Sequence, residues 1–331
     1  MSKSLTKLLA ALFAAGILAF GLAACGGDDD GDNGATTAGA TGESGSEGEL
    51  TGTIRIDGSS TVAPLSEPAA ELFMEENPDV TVTVGTSGTG GGFEKFCAGE
   101  TDISDASRQI DEDEEGACAQ NGIETEEVAV ANDALTVVAN PENPVTCLTV
   151  DQLAQVWGPG SQVNEWGQIQ GLQDAPDAEL ALYGPGTDSG TFDYFTEAVI
   201  GEEGAQRTDY NNVGEDDNAT VTGVSGTEGG MGYFGYSFFV ENEGTLKALE
   251  IDNGQGCVAP SPEATQDGSY APLGRQLFIY PSNEALQRPE VLAFIEFYIE
   301  NATEIAEAAG FIGLTDKQKA TAQRTVDGLA G

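Results

Sequence analysis

The chain has 331 residues, with 12 Lys plus Arg against 56 Asp plus Glu and no His, for a formal net charge of −44. So acidic a chain excludes nucleic acid, which selects a basic face, and nonspecific adhesion to anionic lipid. Without His, the commonest general base, the commonest transition-metal ligand and every Ser-His or Cys-His nucleophile pair are missing, so no catalytic residue, metal or cofactor is expected. The acids are scattered, as in Glu112 to Glu115, Glu124 to Glu127 and Asp216-Asp217, rather than set at calcium-loop spacing, and read as a solvated surface.

In chain order, Lys3 and Lys7 form a basic start, an apolar run follows from Leu8 to Ala24, and the run stops at Leu22-Ala23-Ala24-Cys25. This is the pattern of a secretory signal, and the run is short for a bilayer span. Leu-Ala-Ala-Cys resembles the bacterial lipobox, which implies that residues 1–24 are a signal peptide and that Cys25 is lipidated and becomes the N-terminus. Residues 25–50 are rich in Gly, Asp, Ser, Thr, Ala and Glu, cannot bury a core, and read as a flexible tether. The expected location is outside the cytoplasmic membrane, on its outer face or in the periplasm. Four further cysteines remain, Cys97, Cys118, Cys147 and Cys257. In an oxidising compartment they allow two disulfides in three connectivities. Pairing within one domain favours Cys97–Cys118 and Cys147–Cys257.

From residue 53 strand-like and helix-like segments alternate. Thr53–Ile56 reads as a strand and 64–76 as a helix with Pro64 at its first turn. Val80, Val82 and Val84 alternate with Thr as a strand. A short helix is expected around Phe93–Cys97, a strand over Ala134–Ala139 ended by Asn140-Pro141, and a helix over 149–156. Leu180–Tyr183 reads as a strand, Phe192–Ile200 as a helix, Gln276–Tyr280 as a strand and 289–309 as one helix or a pair. Alternation of this kind predicts an α/β fold with largely parallel sheets. Gly230–Gly235 fits G-x-G-x-x-G, but it lies late in the chain, and Tyr233, Phe234, Tyr236 and Phe238 read as strand core, so no nucleotide site is assigned.

Three segments share one arrangement. Gly58-Ser59-Ser60-Thr61, Thr86-Ser87-Gly88-Thr89-Gly90-Gly91-Gly92 and Gly184-Pro185-Gly186-Thr187-Asp188-Ser189-Gly190-Thr191 each stand between a strand and a helix. A helix N-terminus offers unpaired N–H groups and partial positive charge, Gly admits a ligand to the backbone, and hydroxyls add donors. This is chemistry for phosphate or sulfate, held by local dipoles in a cleft despite distant acids. One such turn is commonly a simple N-cap; three at the carboxyl ends of strands point to a ligand edge. A fourth segment, Asp102 to Arg108, supplies Ser107 and Arg108, whose planar guanidinium suits an oxyanion.

Gly-Ser-Ser-Thr-x-Ala-Pro-Leu, Ser-Gly-Thr-Gly, Gly-Glu-x-Asp-Ile-x-x-Ala-Ser-Arg, Ser-Gly-Thr-Phe and Gly-Tyr-Phe-Gly-Tyr together resemble the periplasmic phosphate-binding proteins of high-affinity phosphate ABC transporters, over nearly the whole chain from about residue 53. The resemblance implies a type II periplasmic-binding-protein-like fold, with two α/β lobes, mixed and largely parallel sheets and a two-strand hinge. It implies a monomer that captures inorganic phosphate, does no chemistry, and presents it to the membrane subunits of an ABC permease. Lobe 1 is expected over 50–132 plus 272–331 and lobe 2 over 137–268, with crossings near Val130–Ala139 and Ser269–Tyr280. The phosphate ligands expected are Ser60, Thr61, Ser87, Thr89, Ser107, Arg108, Asp188, Ser189, Gly190 and Thr191. Two positions depart from the family's pattern: Ser107 stands where an Asp accepts the phosphate proton, and Pro185 where an Arg is expected. Arg108 is the expected substitute for that Arg, and Asp188 or Asp105 for the acceptor. The rival functions are capture of another tetrahedral oxyanion, sulfate or molybdate, and a phosphatase with Ser60 or Ser189 as nucleophile.

Overall fold

The computed structural model describes residues 49–330. The first half of the chain runs β1 (Gly52–Gly58), α1 (Ala63–Glu76), β2 (Val80–Thr86), α2 (Gly88–Cys97), β3 (Ile103–Ala106), α3 (Glu112–Gln120), β4 (Val128–Ala139), β5 (Cys147–Thr149) and α4 (Val150–Trp157). The second half runs β6 (Ala181–Gly184), α5 (Gly190–Ile200), β7 (Asn211–Asn212), α6 (Asp217–Gly226), β8 (Gly230–Gly235), α7 (Tyr236–Glu241), β9 (Lys247–Ala248), β10 (Glu250–Asp252), β11 (Cys257–Val258), α8 (Pro262–Gln266), β12 (Gly274–Pro281), α9 (Pro289–Ala308) and α10 (Asp316–Ala330).

The strands follow the order β2-β1-β3-β12-β4-β8-β6-β7, with β9 added on β4. At one end β2, β1 and β3 are parallel, and at the other β8, β6 and β7 are parallel. The long strand β4 joins them. Val128–Ala134 pairs antiparallel with β12, and Leu135–Ala139 pairs antiparallel with β8. One unbroken strand therefore serves both sheets, and the chain returns through β12, which also pairs with β3. Separate apolar cores lie on either side of this crossing. Ile54, Leu65, Phe73, Val128, Leu277, Phe294 and Tyr298 fill one, and Leu135, Val137, Trp157, Phe195, Tyr233 and Tyr270 the other. Each buries large apolar side chains against a sheet, the dominant favourable term in folding.

Two of the expected elements differ in the structure. Helix α2 starts five residues before Phe93, so Thr89 to Gly92 lie on the helix rather than in a turn. A run of glycines is a poor helix former, but close packing decides here. A β-carbon at Gly92 would lie 2.5 Å from the Gly58 Cα, so only Gly brings α2 this near β1. Tyr236 and Phe238 belong to α7 and not to a strand, because β8 ends at Gly235. Tyr233 and Phe234 are fully buried in β8 as expected. Its glycines serve packing, since a β-carbon on Gly232 would meet the Tyr183 carbonyl at 2.7 Å. The segment 289–309 is a single helix, α9, followed by α10.

The disulfides are Cys97–Cys118, joining α2 to α3, and Cys147–Cys257, joining β5 to β11 in the small sheet β11-β10-β5. Among the described residues no helix is long and apolar enough to cross a membrane. The apolar run Leu8–Ala24, Cys25 and most of the tether lie outside the described residues.

Candidate functional site

Two helix N-termini face each other where the lobes meet. The chain leaves β1 through Gly58 at φ +150°, turns over Ser59, and enters α1 after Val62. The Ser59 amide donates to the Asp105 carbonyl at 2.9 Å, which fixes the turn on β3. Opposite it, α5 begins at Gly190 with Ser189 as N-cap, and the Ser189 side chain makes no capping bond although the residue is buried. A β-carbon on Gly190 would lie 2.9 Å from Thr61 Oγ1 and 3.5 Å from Ser60 Oγ, so the two turns are in contact. Both helices present orphan amides and the positive ends of their dipoles to the same space. The cavity there measures about 380 Å³ and is lined by Ser60, Thr61, Asp133, Ser189, Gly190 and Thr191, with Asp188, Glu215 and Asp217 also on its wall.

Just past the end of β3, Ser107 meets Thr89 of α2. Thr89 Oγ1 and Ser107 Oγ are 3.0 Å apart, and the Ser107 amide donates to Thr89 Oγ1 at 3.2 Å. Ser87 is turned away, with its hydroxyl donating to Asp57, which also takes a 2.7 Å bond from Lys95. These donors outweigh burial and hold the Asp57 carboxyl below its usual range.

Arg275, on β12, stands between Ser107 and the α1 turn. Its Nη1 donates to the Ser107 carbonyl at 3.0 Å and its Nη2 to Thr61 Oγ1 at 3.4 Å. Its guanidinium lies over the Tyr194 ring at 3.3 Å, with Glu197 at 3.9 Å. Arg275 and Asp133 are direct cross-strand partners, and Arg275 Nε stands 3.5 Å from Asp133 Oδ2. That separation is too long for a good hydrogen bond, and Arg275 Nε–H is buried without a hydrogen-bond partner. Such a donor costs free energy until something accepts from it. Burial raises the Asp133 carboxyl above its usual range, and Arg275 offsets only part of that rise.

Arg108 stands differently from the expectation that made it the charged ligand. Both its terminal nitrogens donate to Glu114 at 2.8 Å, and Nη1 also donates to the Gln109 carbonyl. Glu114 has the stronger hold because it also closes the α3 capping box with Asp111. Arg108 lines a second cavity, with Ser107, Tyr194 and Arg275, and its fork is committed to Glu114. Asp105, expected as a proton acceptor, is fully buried beneath the α1 turn, where Ser66 donates to it at 3.0 Å. Burial pushes its carboxyl up to about 8. It does not line the cleft, because strand alternation points it toward α1 and Tyr298. Asp188 lines the cavity wall and is exposed.

Arg275 and Asp133 were not singled out from the sequence. Both lie inside the expected crossings, and a lone charge within each mostly apolar strand was the available signal. A two-lobe α/β molecule with opposed helix N-termini over a buried guanidinium, at the crossing of its two lobes, is a solute-binding protein of the periplasmic type. The chain belongs to the PBP superfamily, whose domain matches residues 35–302, and within it to the family of the PstS phosphate-binding proteins. It is 46% identical over 267 residues to protein SphX of Synechococcus elongatus, covering 80% of this chain and 78% of that one. It is 37% identical over 313 residues to the phosphate-binding protein PstS of Staphylococcus saprophyticus, covering 94% and 91%. Among solved structures, a possible phosphate binding protein from Planctomyces limnophilus superposes with a TM-score of 0.79 at 43% identity, covering 85% of this chain and all of that one.

Proposed function

We propose that this protein captures inorganic phosphate between its lobes and delivers it to the membrane subunits of an ABC permease. The observation that carries the reading is the meeting of the α1 and α5 N-termini around Arg275, whose buried Nε–H lacks a partner. In this reading the anion takes amide and hydroxyl donors from Ser60 and Thr61 on one side and from Ser189, Gly190 and Thr191 on the other. Thr89 and Ser107 add hydroxyls. Arg275 supplies the full positive charge in place of Arg108. The names of the relatives favour phosphate over sulfate or molybdate. Lobe 1, over 50–132 plus 272–331, closes on lobe 2, over 137–268, because contacts from both sides favour the closed state.

The protein acts as a binding protein and not as a phosphatase. Ser60 and Ser189 have no imidazole to activate them, since the chain contains no His. It works as a monomer outside the cytoplasmic membrane, anchored by lipid on Cys25. Calorimetric titration of protein freed of carried-over ligand tests the reading. Tight one-to-one binding of phosphate is expected, and failure to bind phosphate at any concentration up to millimolar would sink it.

A further inference from the structure

Beneath the Ser59–Thr61 turn lies a carboxyl that anion capture does not use. Asp105 of β3 is the register partner of Gly58, and its carbonyl takes the Ser59 amide at 2.9 Å. A β-carbon on Gly58 would run into that carbonyl, so the turn rests directly on Asp105. The Asp105 side chain reaches α1, where Oδ1 accepts from the Ser66 hydroxyl at 3.0 Å, and Ser66 Oγ is 3.2 Å from the Tyr298 hydroxyl of α9. One residue thus holds the start of the turn by its main chain and the fourth residue of α1 by its side chain.

Nothing around this carboxyl compensates a charge. Asp105 is fully buried, and its Oδ2 has no hydrogen-bond partner. Among the described residues, the titratable groups that face it are Asp57 of β1 and Tyr298 of α9. From α1 it receives only the Ser66 hydroxyl, and its partner on β12 is Ile279. Asp57 is itself an acid, and the Lys95 ammonium of α2 is already paired with it at 2.7 Å. An ionised carboxylate without a cation is costly at this depth, so the group keeps its proton. Burial, opposed by Ser66 and aided by Asp57, holds it at about 8.

We propose that Asp105 is a positioning residue that never touches the ligand: as a neutral carboxyl it seats the α1 turn for the anion, and its ionisation in alkaline solution weakens phosphate binding. The proposal rests on the anion-capture reading above. Deprotonation sets a charge beneath the helix whose N-terminus would hold the anion. The positive pole of α1 then faces two negative groups, which repel through an interior that screens far less than water. By reciprocity, the anion-bound state holds the Asp105 proton more tightly than the empty one. The sign follows: affinity is complete below a pH of about 8 and falls as pH rises above it. A like charge acting through the same helix is worth about tenfold.

The test is titration calorimetry of the full-length chain in detergent with inorganic phosphate, for wild type, Asp105→Asn and Asp105→Ser, from about pH 6.5 to about pH 9.5. Asn copies the shape of the neutral carboxyl and neither variant can ionise, so Ser keeps the test alive if Asn fails to fold. Taking the ratio of wild-type to variant Kd at each pH cancels the ionisation of phosphate itself and of every other group. That ratio should rise about tenfold across the range, with Asp105→Asn matching wild type at the acid end. Repeating the titration near pH 8.5 in buffers of different ionisation enthalpy should show wild type taking up about half a proton more than either variant on binding phosphate. A ratio that stays constant with pH, even with a variant weaker throughout, would make Asp105 a purely structural residue and overturn the inference while leaving anion capture intact. Equal proton uptake in wild type and variants would do the same. Wild-type protein that binds no phosphate at the acid end would bring down the capture reading, and this inference with it.

Discussion

Replacing Gly190 by Ala separates closure of the cleft from stability of the fold. Gly190 is the first residue of α5, where Ala is a better helix former by up to about 1 kcal/mol. Within its own lobe the change is neutral or mildly stabilising. Across the cleft it is not, because the new methyl carbon would lie 2.9 Å from Thr61 Oγ1, where ordinary contact begins at 3.4 Å. Thr61 is held by the α1 turn and by Arg275, so it has little freedom to retreat. Overpacking of this kind costs about 1–3 kcal/mol, and only the closed state bears it. The phosphate Kd should therefore rise by about five- to 150-fold, at about 1.4 kcal/mol per decade. Titration calorimetry reads the first quantity, and the melting temperature without anion reads the second, which should not fall. An unchanged Kd would mean that the contact between α5 and the Ser60–Thr61 turn is not part of the anion-bound state. A parallel loss of melting temperature would mean that it is simply structural.

Other predictions concern charge. Arg275→Met leaves Asp133 buried without its cation, and should cost about 3–5 kcal/mol of stability at neutral pH as well as phosphate binding. Part of that loss should return at mildly acidic pH as Asp133 takes up a proton, which chemical denaturation at the two pH values would show. Asp105 has a folded-state pKa of about 8 against 3.8 for the free group, so the folded state holds an extra proton between those values. Its contribution to stability is complete below 3.8 and is lost as pH rises through about 8, and Asp105→Asn should flatten that part of the melting profile. Finally, Asp188, Glu215 and Asp217 line the cavity of a chain with net charge −44, so added salt should speed phosphate association in stopped-flow measurements. A rate that falls with salt would show that local dipoles already dominate at the distance of encounter.

The parts of the site that were legible in the sequence are those whose chemistry is local. Ser60, Thr61, Ser189 and Gly190 announce themselves because a small hydroxyl residue beside Gly between a strand and a helix has few other uses. What pairing and packing decide was not legible. Arg275 draws its meaning from Asp133, which is far away in sequence and becomes its neighbour only through the register of β12 on β4. Arg108 looked available because nothing in its own segment shows Glu114 folding back on it. Asp105 was misplaced by a matter of facing: it follows Ser104 in the same turn-like stretch, and strand alternation sends its side chain into the core. Helix α2 reaches into a glycine run because Gly58 lies beneath it, which no propensity scale contains.

The continuity of β4 sets how the two halves can move. A strand hydrogen-bonded on its first part to one sheet and on its second to another behaves as a torsion bar fixed at both ends, with its compliant point between Ala134 and Leu135. Sliding would break the ladder, whereas a few degrees of twist would not. Because the arms on either side are long and the twist is confined to the bar, a small rotation at the base becomes a large displacement at the far rims. Labels attached to those rims would therefore convert occupancy into an optical signal without touching the residues that hold the anion.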